Sequence, residues 1–270
     1  MSLPLVDRPP TAREVERLRL ILSTYQDGTG MEAGGRLPGW RDFERAVALA
    51  FGGVAQESKA IFDVLLSDEI NPDIKYGLSC KMRGELNKIS RTGRISLELS
   101  NSAKKFWQPL RLQGIDESNY RSRPAEVGIS LIEVVRGWHN AVSIEHGGHI
   151  DITRSSYLVL SWDKRSSLYQ LHQFSLELPD PTRLQWYIPT IRRRGEDISA
   201  QKINGNDELG TLFEWYGESG GQLKYYPLAA NALWSSDLFR LEPLGDTEYG
   251  ILNKAAAYFP ELWATACENE

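Results

Sequence analysis

The stretch from Phe62 to Met82, FDVLLSDEINPDIKYGLSCKM, most constrains how this chain can fold. Two apolar runs, AIFDVLLSD and IKYGLSCKM, flank the turn-forming residues EINPD, the pattern of a β-hairpin. Side chains alternate along a strand, so Ser79 and Lys81 share one face and Cys80 takes the other. A lysine on a half-buried strand face is costly without a partner. A turn centred near Pro72 pairs positions equally spaced on either side of it and sets Asp63 opposite Lys81. A carboxylate then faces an ammonium, and the serine beside the lysine adds a neutral hydrogen-bonding group. The aspartate stays able to hold a divalent cation.

The remainder of the chain predicts a mixed architecture. Val15, Leu18, Leu22 and Tyr25 form an apolar stripe over residues 11–26, and the helix WRDFERAVALAF stops at Gly52-Gly53. The glycine-rich DGTGMEAGGRLPG between them reads as a loop. Residues 102–112 and 124–142 are again helical in pattern, with Ala103, Phe106, Trp107 and Leu110 on one face of the first. From about Ile150 strands dominate: SYLVLSW, LYQLHQFSLEL, LQWYIPTIRRR and QLKYYPL. The expected class is α/β (α+β), one domain over 1–270, with a catalytic core at about 40–145 and a β-rich recognition part at about 150–250.

The chain has 270 residues and 41% hydrophobic content, enough for a sizeable core. No run approaches the ~18 apolar residues needed to span a bilayer, and the first residues lack the layout of a signal peptide, so a cytoplasmic protein without membrane contact is expected. Only Cys80 and Cys267 occur, too far apart and too few for a disulfide framework or a zinc motif. Net charge is −5, but between Lys75 and Arg123 eleven basic residues meet four acidic ones, a local surplus of +7.

The helix acid Glu44, the hairpin aspartate Asp63 and the Ser79-Cys80-Lys81 triplet together resemble the PD-(D/E)-x-K nuclease superfamily, in particular type II restriction endonucleases of the Ser-x-Lys kind. The resemblance covers residues 40 to about 107. Phe62 stands where the family name has proline, and Ser79 where it has the second acid. What it implies is a restriction-endonuclease-like mixed central sheet flanked by helices, with additional C-terminal strands. It also implies Mg²⁺-dependent, sequence-specific hydrolysis of double-stranded DNA leaving 5′-phosphates, and a homodimer if the target is palindromic. Asp63, the backbone carbonyl of Cys80 and a further carboxylate would hold the Mg²⁺. Glu98, in RISLELS, is the candidate for that carboxylate, ahead of Glu85 in MRGEL, with Glu44 at the edge of the site. Lys81 would orient or help deprotonate the attacking water. Arg83, Lys88, Arg91, Arg94, Lys104 and Lys105 would face phosphates, and Arg192, Arg193 and Arg194 phosphate or guanine.

Rival patterns are weaker. Asp73 spells PD literally with Pro72, but at the turn tip, and the ESK at Glu57 to Lys59 has its nearest suitable acid, Asp42, on a predicted helix. Cys80 as a nucleophile would point away from Lys81. His139, His146 and His149 straddle a helix end and a Gly-Gly turn, unlike zinc ligand pairs. A nuclease of the same fold with little sequence preference, a non-catalytic DNA-binding module and a tryptophan-based carbohydrate binder are the alternative functions.

Overall fold

A computed structural model describes residues 2–26, 38–56, 61–100, 102–193, 195–218, 220–243 and 256–267. Helix α1 (Ala12–Thr24) begins at a reciprocal cap in which Thr11 Oγ1 accepts from the Glu14 N–H while the Glu14 carboxylate accepts from the Thr11 N–H. Helix α2 (Trp40–Phe51) ends at Gly52, whose φ of 72° is the left-handed conformation glycine adopts without strain. The glycine-rich segment between the two helices falls almost wholly outside the described residues.

The main sheet has six strands. Strands β1 (Val54–Ala55), β2 (Val64–Ser67) and β3 (Lys75–Arg83) are joined to β5 (Ser156–Asp163), β6 (Leu168–Ser175) and β13 (Trp234–Ser235) in the order β1-β2-β3-β5-β6-β13. The sheet is mixed: β3 and β5 run parallel and every other pair is antiparallel. A parallel pair needs a long crossover. Here it contains α3 (Leu86–Thr92), β4 (Leu97–Ser100), α4 (Ala103–Leu112) and α5 (Pro124–Asn140).

Strand β4 does not join the main sheet. It edges a second, five-stranded antiparallel sheet, completed by β7 (Gln185–Tyr187), β10 (Ile203–Asp207), β11 (Gly210–Trp215) and β12 (Leu223–Tyr225) in the order β4-β12-β11-β10-β7. Both sheets therefore draw strands from both halves of the sequence. A separate ribbon pairs β8 (Thr190–Arg193) with β9 (Glu196–Ser199), and a last helix, α6, spans Pro260–Cys267.

Two apolar cores sandwich the main sheet. On one side Leu18, Leu22, Phe43 and Val47 of α1 and α2 pack on Leu78, Cys80, Leu158 and Leu160. On the other, Leu131 and Val135 of α5, Phe106 of α4 and Phe213 and Trp215 of the second sheet pack with Phe62, Tyr157 and Val159. Burial of both faces explains why β5 reads as a continuous apolar run. Among the described residues no helix is long and apolar enough to cross a membrane.

The hairpin forms as its sequence predicts, in a different register. Val64 pairs with Leu78 and Ser67 with Lys75, which centres the turn on Asn71 and brings Asp63 level with Ser79 instead of Lys81. The cause lies in the turn. Asp68 Oδ1 accepts from the N–H groups of Ile70 and Asn71, and its own N–H donates to Ile74 C=O, closing the loop around Asn71. A shift of two residues preserves strand parity, so Asp63 stays on the face of Ser79 and Lys81.

Gly77 lies on that face beneath Phe62; a Cβ there would fall 2.3 Å from the ring. Gly77→Ala is expected to lower stability by about 1–3 kcal/mol through overpacking. Thermal denaturation should show the loss.

Candidate active site

Asp63 is fixed by its backbone before its side chain acts. Its N–H donates to Leu78 C=O (3.0 Å) and its C=O accepts from the Gln56 N–H (2.8 Å). The β2–β3 ladder ends at Val64–Leu78, so the N–H and C=O of Cys80, which leave the strand on that same side, meet no β2 residue. Asp63 Oδ2 fills the gap. It accepts from the Cys80 N–H at 2.7 Å, Lys81 Nζ at 3.2 Å and Ser79 Oγ at 3.4 Å. Lys81 and Asp63 keep 23% and 25% of their side chains exposed, so the pair is reachable yet less screened than one on the open surface.

Glu44 enters from α2. Its neighbours Phe43, Ala46 and Val47 are buried against the sheet, which leaves Glu44 half-buried at the edge of that stripe. Loss of solvation, reinforced by repulsion from Asp63 and opposed by Lys81, Arg41 and Arg45, pushes its carboxyl up to about 7. Two carboxylates near enough to repel, beside the Cys80 carbonyl on an open strand edge, form a donor set that suits a hard divalent cation. Mg²⁺ takes one or two protein carboxylates and keeps several waters. Among the described residues no three His, Cys, Asp or Glu side chains group to hold a metal by themselves. A cation here would depend on carbonyl, water and substrate oxygens as well.

The remaining expected residues divide into distinct places. Glu98, on β4, forms an ion pair with Arg83 of β3 (Nη2 to Oε2, 2.9 Å). Glu85 pairs with Lys88, and Asp73 is exposed at the hairpin turn. The rival Glu57 to Lys59 triplet lies outside the described residues. Cys80 packs into the helix-side core, and burial raises its thiol well above the ordinary range, which removes it as a nucleophile. His139 stacks on Phe62 with ring centres 5.9 Å apart, and burial lowers its imidazole to about 4. His146 bonds Ser143.

The basic block is largely neutralised where it folds. Arg94 pairs with Asp207, Arg111 with Glu117, Arg121 with Glu218 and Arg123 with Glu126, so acids from outside the block supply part of the compensation. Lys88, Arg91, Lys104 and Lys105 are exposed, and Lys105 Nζ lies 5.3 Å from the centre of the Trp138 ring. Arg192 and Arg193 stand opposite Asp197 and Glu196 in the β8–β9 ribbon. Arg194 lies outside the described residues.

Sequence reasoning missed Arg94 as a structural tie: it bonds both Asp207 and the Tyr226 carbonyl. It also missed Glu214, partly buried on the second sheet, which accepts from Lys202, Tyr216 and Tyr226. The Arg94 contacts span more than a hundred residues, and those of Glu214 reach to Lys202 and Tyr226 as well as to its near neighbour Tyr216.

No family model matches this chain, and no curated protein and no solved structure matches it either.

The Glu44 carboxyl gives a pH prediction. The folded state holds its proton up to about 7, whereas the unfolded chain releases it near the ordinary glutamate value of 4.5. Folding therefore binds a proton between those values, and the group's contribution to stability falls as pH rises through that window. Glu44→Gln should track the parent's melting temperature below pH 4 and exceed it increasingly up to about pH 7, levelling off beyond. Melting curves from pH 4 to 8 would show whether the two profiles separate in this way.

Proposed function

We propose that the chain is a Mg²⁺-dependent endonuclease acting on double-stranded DNA, of the type II restriction kind. The observation that carries this reading is the Asp63 carboxylate, held at the end of a hairpin by the Cys80 N–H and Lys81 Nζ, with the half-buried Glu44 beside it. The mixed sheet with helices on both sides is consistent with the same reading.

Asp63, Glu44 and the Cys80 carbonyl would hold the cation. Bound Mg²⁺ supplies Lewis-acid stabilisation of the charge that builds on the phosphoryl oxygens. Lys81 Nζ donates hydrogen bonds, so it can orient the attacking water and steady the charge of the transition state. Attack at phosphorus breaks the bond to the 3′ oxygen, which leaves as a hydroxyl after taking a proton, and the phosphate stays on the 5′ end. Asp63 positions Lys81 through their 3.2 Å contact, and Ser79 supports the same carboxylate without adding charge.

Recognition would fall to the exposed parts. A major groove admits a two-stranded ribbon, and β8–β9, exposed where described and bearing Arg192, has that form. Arg91, Lys104 and Lys105 are exposed and could meet phosphates, whereas Lys88 is paired with Glu85. A palindromic target would be cut on both strands by a two-fold homodimer.

A second reading has its own support: Asp63 and Lys81 already satisfy one another, as a structural ion pair would. Incubation with plasmid DNA and Mg²⁺, followed by sequencing of the ends, separates these readings. Defined fragments with 5′-phosphates support the restriction enzyme, a smear supports a nuclease of low sequence preference, and intact plasmid supports the structural pair. Lys81→Ala is expected to reduce cleavage by orders of magnitude while DNA binding in Ca²⁺ persists, because the lysine acts on the transition state. Normal cutting by that variant would remove Lys81 from the mechanism.

A further inference from the structure

Strand β3 carries a row of polar side chains on one face, Ser79, Lys81 and Arg83. Successive members of such a row stand about 6.6 Å apart. Ser79 and Lys81 meet Asp63, but Arg83 reaches beyond the main sheet to Glu98 on β4. Glu98 stands opposite Lys224 of β12, whose Nζ lies 5.0 Å from the centre of the Tyr216 ring. The carboxylate that meets Arg83 is thus mounted on a sheet rather than a loop.

Two features distinguish this contact from a fully satisfied ion pair. The guanidinium gives Glu98 one nitrogen, Nη2, where its planar fork can give a carboxylate two. Its Nε is buried without a hydrogen-bond partner among the described residues, an expense for a charged group. Yet a quarter of the Arg83 side chain, 25%, stays exposed. Nε itself is closed off, so a second oxygen acceptor would have to approach through the exposed part of the side chain.

Given the reading of Asp63 and Lys81 as a phosphodiester-cleaving pair, on which this rests, we propose that Arg83 binds the DNA phosphate next to the one at Lys81. Glu98 is its positioning residue. Arginine suits the task because its fork can keep one nitrogen on the carboxylate while presenting others to a phosphate oxygen, which a lysine's point charge cannot do. Glu98 in turn fixes the direction of the fork.

The test turns on a sign. Glu98→Gln makes the protein one charge more positive, so a purely electrostatic role, or a merely structural one, predicts equal or tighter DNA binding by the folded protein. Positioning predicts the opposite. Binding would be measured by fluorescence anisotropy in Ca²⁺ with a duplex containing the mapped cut site. Glu98→Gln and Arg83→Lys are each expected to bind about tenfold more weakly than the parent at the same salt concentration. Arg83→Lys keeps the charge, so its loss would report the fork alone. Equal or tighter binding by Glu98→Gln, or parent-like binding by Arg83→Lys, would overturn the proposal while leaving a DNA-cutting parent in place. A parent that neither binds nor cuts the duplex would overturn the nuclease reading and this proposal together.

Discussion

A buried strand must satisfy its backbone on both sides, and β3 runs on to Arg83, past Leu78, where its pairing with β2 ends. The N–H of Cys80 meets a carboxylate there in place of another strand. That one substitution organises much of what surrounds it. It holds Asp63 against β3, brings its second contact within reach of Lys81, and leaves the Cys80 carbonyl on an edge with no β2 residue beside it. Charge-assisted bonds of this kind are stronger than neutral ones, so the polar end of the hairpin is as firmly specified as its apolar middle.

The helices and the second sheet then add charge from two directions. From one side α2 contributes Glu44, raised by its loss of water and by Asp63; from the other, β4 contributes Glu98, balanced by Arg83. The later part of one strand thus borders an under-compensated carboxylate near Lys81 and a neutral pair at Arg83. This polarity along β3 separates a region fit for a cation from a region fit for an anion.

How much of this could be read from the sequence depended on range. The hairpin, its parity and the association of Asp63 with Lys81 arise within twenty residues, and their signals are alternation and turn chemistry. The register itself was misread by two positions because an Asx turn at Asp68, rather than Pro72, closes the loop. Helices α1, α2, α4 and α5 announced themselves by apolar stripes and stops, while the seven-residue α3 buries no residue and left no stripe to find. The departure of β4 into another sheet was illegible, since LELS alternates equally well whichever neighbour it joins. The basic block shows the same limit: its count was correct, but partners such as Asp207 and Glu218 come from far along the chain.

The path of β4 also has a consequence in time. Glu44, Asp63 and Lys81 lie close together in the sequence, so their part of the fold can close while the chain is still emerging from the ribosome. Glu98 is different. Its strand lies at the edge of its sheet, and its one neighbour there, β12, is made more than a hundred residues later. Until Leu223–Tyr225 exists, nothing in that sheet fixes the carboxylate that Arg83 reaches for. Lys81 and Arg83, two residues apart on β3, therefore acquire their surroundings at different moments, those of Arg83 only after β12 has been made.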